Sequence, residues 1–585
     1  MRILGLSAFK QNPAAAVLEN GLVKAAIEND KLARVRSHGL PMAAIQSCLE
    51  RAGTGWEGID RVAVATRPLR KFARKSLLRA KFATIAPIAA AYYQAKEVGV
   101  LARDLNDQRL LHSHLDRDGR KVISLDHHLC HAANAFFMSP FDRALIVTMD
   151  EDADGNSTLL ATGEGSRIRV TRTIAFPHSV AWVYSLTTDL IGFTPRQDEQ
   201  KTQWLSLEGE PVYKDLFLEM LRARGTPLPR LNYRFFTRGL AGGLAFSREF
   251  YRRVGLDEGR QGLTQEMRQA LACSVQRACT EIVSALIAHL RKTLGIGPVC
   301  LSGGLFQNSL LVAALEETFG VDQVFVPPAP GNPGSAVGAA LLVWHQLMQN
   351  PRSEPPVSVF WGPKLNRQEV KEVLDNCKAR YSVLNTEQRK IDATVQLLEG
   401  GKVVGWYQGA AEFGPRALGN RSVLASPWAP YVKENLNDFI KKRESFRPFA
   451  IAVPEEDCGR FFVTSRLCRF MNSLGRVREG CSPLPESFCL PGGLIRLQVV
   501  ERRSSPLLWS LLKSWGERSP APLLLNTSFN LHGEPLVMTA RDALRSYFCS
   551  GLDALVIDNF FLSKTKALPL FATNVAAEES VRLRA

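Results

Sequence analysis

Three clusters in this sequence have residue types and spacings that could do chemistry. The first is Asp126-His127-His128-Leu129-Cys130-His131, with Asp150 closing a later apolar run. His127 and His131 stand one helical turn apart, so on a helix they share a face and can hold one metal ion. Two neutral imidazoles and a carboxylate suit Fe, Mn or Zn. The same HxxxH spacing also arises from capping and packing. The acids after Asp150, Glu151-Asp152-Ala153-Asp154, are also what a solvated turn looks like.

The second cluster is Ser302-Gly303-Gly304 with Asn308. Glycines let backbone N–H groups approach a phosphate, and a following helix N-terminus adds a positive dipole. A tight packing turn would use the same glycines. The third is the densest: Glu412-Phe413-Gly414-Pro415-Arg416-Ala417-Leu418-Gly419-Asn420-Arg421-Ser422, then Lys441-Lys442-Arg443-Glu444-Ser445-Phe446-Arg447-Pro448-Phe449. Its cations sit among glycines and aromatics, not in a solvated stripe. Arginine forks bind phosphate and carboxylate bidentately. Arg496 lies between Ile495 and Leu497 on a predicted strand, where a charge is costly unless it serves a ligand or partner. Asn526-Thr527-Ser528-Phe529-Asn530 reads as a polar turn after a buried strand.

These residues need elements to carry them. Arg2–Ala8, Ala14–Leu18 and Leu22–Ile27 read as strands, the last two flanking the hairpin signal Asn20-Gly21. Pro41 opens a helix with apolar residues at helical spacing, and Ile59–Thr66 reads as a further strand. Lys121–Leu125 is a strand before the histidine cluster, and Ala132–Phe137 an apolar helix after it. The plan recurs. Ala144–Asp150 is a strand, Asp154-Gly155 a turn and Ser157–Thr162 a returning strand. Pro298–Gly304 is a strand leading to a helix over Leu310–Phe319. Val324–Val326, a loop over Pro327–Gly338 and a helix over Ala339–Leu347 follow. Two hairpin units, each followed by helices, predict a duplicated actin-like ATPase architecture. Asn350–Pro356 is polar and proline-rich and reads as a linker. The expected division is a domain over 1–350, a linker over 351–357 and a second α/β domain over 358–585. The second domain's predicted strands are Lys402–Tyr407, Ala450–Val453, Leu494–Val500, Pro522–Leu525 and Ala554–Ile557.

The 585 residues carry a net charge of +16, with 45% apolar and 22% charged residues. Such usage excludes a disordered chain, a collagen-like repeat and a coiled coil. The positive balance points to anionic partners or substrates. No run reaches the roughly 18 apolar residues of a membrane span; Ala83–Tyr93 is expected to be a buried helix. The N-terminus lacks the apolar core of a signal peptide. The 11 cysteines are scattered, with no CxxC pair, which fits reduced thiols in a cytoplasmic protein.

The strings ILGLSAF, DHHLCHAANAFFMSPF, LSGGLFQNSL, EFGPRALGNRS, KKRESFRPFA and NTSFNLHGEP together resemble the NodU/CmcH family of O-carbamoyltransferases, whose members include the tobramycin carbamoyltransferase. The resemblance runs over nearly the whole chain. It implies an actin-like (ASKHA) N-terminal domain and a YrdC-like C-terminal domain. It implies that ATP, with Mg2+, and carbamoyl phosphate form a carbamoyl-adenylate and release pyrophosphate. A hydroxyl of a small-molecule acceptor, as in natural-product biosynthesis, then takes the carbamoyl group and AMP leaves. By motif, Arg416, Lys441, Arg447 and Arg496 would be catalytic and hold carbamoyl phosphate. Arg421, Arg443, Asn526, Ser528 and Asn530 would join them in binding carbamoyl phosphate and ATP. Gly303, Gly304, Asn308 and Asn332 would line an N-terminal nucleotide site. His127, His131 and Asp150 would bind Fe2+ or a similar divalent metal.

The chain departs from that family's pattern in its first half. Gln11-Asn12 stands where the family usually has His-Asp, Glu28-Asn29 where it has Glu-Glu, and Ser37 where a lysine commonly precedes His38. Asn332 replaces an aspartate that normally ligates the metal. Two other readings exist. The basic run Arg61–Lys81, which holds no acid, could touch nucleic acid, as in tRNA threonylcarbamoyl transfer. An altered N-terminal site could serve a non-catalytic scaffold. The motif strings favour small-molecule transfer over nucleic acid. The acceptor, the general base (Asp152 and Asp154 are candidates by position) and the oligomeric state are not legible. Acceptor contacts are expected on motif-free loops such as Arg222–Gly243.

Overall fold

Two turn devices found in the sequence set the first half of the fold. Asn20 and Gly21 both take positive φ, 49° and 85°, the conformation a tight hairpin needs. They join Ala14–Glu19 (β2) to Leu22–Glu28 (β3), beside Arg2–Ser7 (β1). Arg61–Val64 (β4) and Lys121–Ser124 (β5) complete a sheet of order β3-β2-β1-β4-β5, with β1, β4 and β5 parallel. Asp154 and Gly155 repeat the device at φ 51° and 82°. They join Arg143–Ala153 (β6) to Asn156–Glu164 (β7), which pairs with Arg167–Ala175 (β8). Val299–Ser302 (β9) and Val324–Phe325 (β10) finish a second sheet of order β10-β9-β6-β7-β8. Read from its third strand, each sheet has the same order: third, second, first, fourth, fifth. This duplication is the actin-like plan.

The computed structural model describes residues 1–8, 12–83, 87–115, 121–222, 226–238, 244–257, 259–481 and 484–564. The chain forms two units. One holds Met1–Gly362 with Phe413–Pro415 and Ser465–Leu474; the other holds Pro363–Glu412, Arg416–Thr464 and Gly475–Ala585. The first unit therefore runs past the proline-rich stretch expected as a linker. Arg352 explains why: its guanidinium donates to the carbonyls of Phe136 and Ser139, both at 2.8 Å, and of Phe141.

In the first unit, His127–Phe137 (α1) follows β5. Gln265–Leu294 (α2) is long and apolar enough to cross a membrane, yet 72% of its apolar window is buried within the described fold, as in a core helix. Ser309–Phe319 (α3) and Gly334–Leu341 (α4) come later. Helix α4 begins inside the span expected as loop. A Cβ on its Gly338 would lie 1.9 Å from the Cys130 carbonyl, so only glycine lets α4 press against α1. None of the 11 cysteines is in a disulfide. Pro87–Leu115 is a helix on which Tyr92 is 63% exposed, against the buried helix expected over Ala83–Tyr93. Residues 84–86, Gln11 and residues 223–225 and 239–243 of Arg222–Gly243 lie outside the described residues.

The second unit is a mixed sheet. In chain order its strands are Ser382–Val383 (β11), Val404–Tyr407 (β12), Arg421–Ala425 (β13), Ala450–Pro454 (β14), Leu497–Val500 (β15), Leu524–Ser528 (β16), Ala554–Ile557 (β17) and Phe560–Ser563 (β18). Their spatial order is β11-β18-β17-β12-β13-β16-β14-β15. Trp406, Leu424, Leu511 and Leu524 pack in its core. The sequence gives no sign of β13, because it lies inside the arginine motif and opens on a charge. Likewise Asn526, Thr527 and Ser528 lie on β16 and not in a turn.

Candidate functional site

In the first unit the site follows from strand register. β6 pairs in parallel with β9, with Thr148 opposite Ser302. Two residues beyond each lie Asp150 and Gly304, and the Gly304 N–H donates to Asp150 Oδ1 at 2.8 Å. A Cβ on Gly303 would lie 2.1 Å from the Met149 carbonyl, so the glycine pair is what lets the two strand ends come this close. Helix α1 brings in both histidines, and Asp126 caps it by accepting from Leu129 N. Asp150 Oδ2 lies 3.1 Å from His131 Nε2 and 3.6 Å from His127 Nε2.

The three residues offer ligand atoms within 4.8 Å of one another, and no other such group of His, Cys, Asp or Glu occurs among the described residues. Asp150 Oδ2 is buried with no hydrogen-bond partner. Burial works to raise the Asp150 carboxyl, but the His127 and His131 contacts outweigh it and hold it well below the usual range. Burial foremost pushes His131 down to about 4. An ionised carboxylate with one oxygen held by Gly304 N–H and the other turned to two imidazoles, one of them neutral, is a donor set that fits a divalent cation.

The other expected residues of this half are placed differently. Gly304 is engaged with Asp150 and Gly303 N donates to Pro330 O. Asn308 caps α3 by accepting from Leu311 N, and its Nδ2 donates to Gln276 Oε1 at 2.7 Å. That buried network is structural. Asn332 is half-buried, with its carbonyl accepting from Ser335. The two positional candidates for general base are occupied. Asp154 is buried and accepts from Thr66 Oγ1, Arg67 N and His127 N, and Asp152 pairs with Lys75 at 3.3 Å. Two departures from the family pattern meet: Asn29 Nδ2 donates to Ser37 Oγ at 2.9 Å.

In the second unit the motif loop is shaped by a residue whose role the sequence hides. Glu412 is fully buried, and its Oε1 accepts from the backbone N–H of Leu418, Asn420 and Arg421. Arg421 is fully buried too. Its guanidinium lies 3.7 Å over the Tyr407 ring and donates to the carbonyls of Gln408, Gly409 and Asn420. Arg421 therefore builds the loop, with both Nη atoms taken up by its carbonyls. Asn526 Nδ2 likewise donates to Ala417 O and Gln498 Oε1.

The remaining cations crowd one another. Burial first, then Arg447, pushes Arg416 down to about 10 and Arg443 down to about 9. Lys441 is held well below its ordinary value by burial and then Arg443 and Arg447. Arg496 is lowered by burial, then by Arg416, Arg443 and Arg447. Lys441 Nζ donates to Asn530 Oδ1 at 2.8 Å and Ser528 Oγ at 3.3 Å. Glu444, 3.7 Å from Arg447, is the acid that lies against the cluster. So many mutually repelling cations suit a multiply charged anion.

The chain thus joins an actin-like unit, with a His–His–Asp group whose atoms could hold a cation, to an α/β unit with a crowded set of buried cations. The chain belongs to the carbamoyltransferase family. The family model described as Carbamoyltransferase N-terminus matches residues 2–341, and Carbamoyltransferase C-terminus matches 395–564. It is 32% identical to the uncharacterized protein sll1178 of Synechocystis sp., over 96% of this chain and 97% of that one. It is 32% identical to nodulation protein NolNO of Sinorhizobium fredii, over 96% and 80%. Against the 3'-hydroxymethylcephem-O-carbamoyltransferase of Amycolatopsis lactamdurans it is 28% identical over 46% and 49%. It is an enzyme of the carbamoyltransferase type.

Proposed function

We propose that this enzyme moves the carbamoyl group of carbamoyl phosphate to a hydroxyl of a small-molecule acceptor. Water releases inorganic phosphate from carbamoyl phosphate, and the carbamate so formed attacks the α-phosphorus of ATP to give carbamoyl-adenylate and pyrophosphate. The acceptor hydroxyl then displaces AMP. The observation that carries the first step is the cation cluster of the second, YrdC-like unit. Burial first, and then the charge of Arg447, lowers Arg416, Lys441, Arg443 and Arg496, and an anion carrying several charges relieves that repulsion. Lys441, steadied by Ser528 and Asn530, and the arginine forks would hold the phosphate oxygens and offset charge that develops as the mixed anhydride forms.

Transfer belongs to the first unit on this reading. His127, His131 and Asp150 would hold a divalent cation, which supplies Lewis acidity toward phosphate oxygens when bound. The chain's own part is to fix the three ligands: Gly304 N–H holds Asp150, and α1 holds both imidazoles. Nucleic acid is the weaker partner, because three cations of the basic run are matched internally. Arg70 pairs with Asp126, Lys71 with Asp104, and Lys75 with Glu97 and Asp152.

The test is release of pyrophosphate and AMP from ATP plus carbamoyl phosphate, with and without hydroxyl acceptors. Pyrophosphate release that needs carbamoyl phosphate supports the adenylate step. Its absence in the wild-type chain sinks it. AMP release stimulated by tRNA and by no small hydroxyl compound would sink the acceptor assignment.

A further inference from the structure

Ser302 opens the glycine motif but takes no part in the phosphate reading. It is fully buried, with its Oγ 3.0 Å from the Pro330 carbonyl and 3.2 Å from His131 Nδ1. A hydroxyl has one proton to donate, and a carbonyl can only accept. If Ser302 gave its proton to His131, its lone pairs would face the Pro330 oxygen at 3.0 Å, two acceptors with nothing between them. The proton therefore goes to Pro330, and Ser302 presents a lone pair to His131. His131 must then carry its own proton on Nδ1, which leaves Nε2 bare in the neutral ring. The Ala65 carbonyl, 2.9 Å from His127 Nδ1, makes the same demand of His127. The two Nε2 atoms are 2.9 Å apart and face Asp150 Oδ2. Three acceptor atoms thus converge, and by the argument used for Ser302 and Pro330 they repel one another unless a proton or a metal cation lies among them.

We infer that Ser302 is a positioning residue: through Pro330 it fixes the tautomer and ring plane of His131, so that the triad stands ready for a divalent cation before one arrives. The inference rests on reading the triad as a metal centre. Ser302 acts through His131, as outer-shell partners of ligating histidines do. The geometry also gives β9 a task the glycines alone do not explain. Its last residue orients one ligand through His131, while Gly304 two residues on orients another through Asp150.

Two measurements on the full-length protein test this. In the metal-free chain labelled with 15N-histidine, long-range 1H–15N correlations should show His127 and His131 protonated on Nδ1. Titration with Co2+ alone, followed by its visible absorption, should show Ser302→Ala binding roughly 10- to 100-fold more weakly than wild type. Ser302→Thr, which keeps the hydroxyl, should recover most of that loss, with thermal melting checking that each variant is folded. Adding Ser302→Ala to a His131→Ala chain should weaken Co2+ binding no further. His131 without a proton on Nδ1 in the wild type, or Ser302→Ala binding Co2+ as tightly as wild type, would overturn the inference. Wild-type protein that binds no Co2+ but shows both Nδ1–H tautomers would uphold the tautomer assignment and sink the metal reading instead.

Discussion

The hydroxyl of Ser473 donates to the carboxylate of Glu316 across a sequence separation of 157 residues, inside the first unit. Glu316 lies on α3 and is 4% exposed. Its other oxygen, Oε1, is buried with no hydrogen-bond partner. Burial pushes this carboxyl up to about 7, against the opposing pull of Ser473, Ser465 and Arg466.

A carboxyl raised on folding favours the protonated native state. Its contribution is fully present below the unfolded value near 4.5 and is lost as pH rises toward about 7. By linkage the loss is of order 3 kcal/mol. Glu316→Gln keeps the neutral form at every pH. Melting temperatures measured from pH 5 to 8 should fall less steeply for this variant than for wild type. Parallel curves would show that Glu316 does not titrate in this window.

Burial lowers Arg416, Lys441, Arg443 and Arg496, and Arg447 is the cation that lowers all four further. Arg447→Ala should therefore cut pyrophosphate release by at least about 100-fold. In phosphate-free buffer it should leave the melting temperature equal to wild type or higher, because one like charge is gone. A variant that loses both activity and stability would mark Arg447 as a scaffold residue.

Asn332 follows the Pro330 peptide whose carbonyl accepts from Ser302 and Gly303, so its loop passes the triad. A neutral amide binds a cation more weakly than a carboxylate. Asn332→Asp should tighten Co2+ binding by roughly tenfold, and Asp150→Asn should weaken it by more. Both are read by the same titration. Unchanged binding in Asn332→Asp would place that side chain away from the metal.

Arg352 joins three carbonyls at the end of α1 and just after it, and lies 4.5 Å over the Phe136 ring. Arg352→Ala leaves those oxygens without their donor and should cost about 3 kcal/mol, read by urea unfolding. Arg352→Lys should recover little, since an ammonium cannot span three acceptors in a plane. Wild-type stability in Arg352→Ala would show that the stretch is held by packing alone.

Much of this protein was legible in its sequence because the signals were local. Asn20-Gly21 and Asp154-Gly155 demand their turns through backbone sterics, and His127 and His131 share a face through helical spacing alone. The composition and the motif strings, read together, were enough to place the chain among the carbamoyltransferases. What a string cannot show is where a side chain's hydrogen bonds go. Arg416 and Arg421 sit five residues apart in one motif, yet Arg416 joins the cation cluster while Arg421 is taken up by three carbonyls and a tyrosine ring. Asn308, expected beside a nucleotide, and Asp154, a general-base candidate by position, both turn out to hold neighbouring groups by hydrogen bonds. Ser302 gained its role only when β9 aligned with β6 and brought Pro330 and His131 to its one hydroxyl. Residue type sets what a group can donate or accept, and only the fold decides which neighbours are near enough to use it.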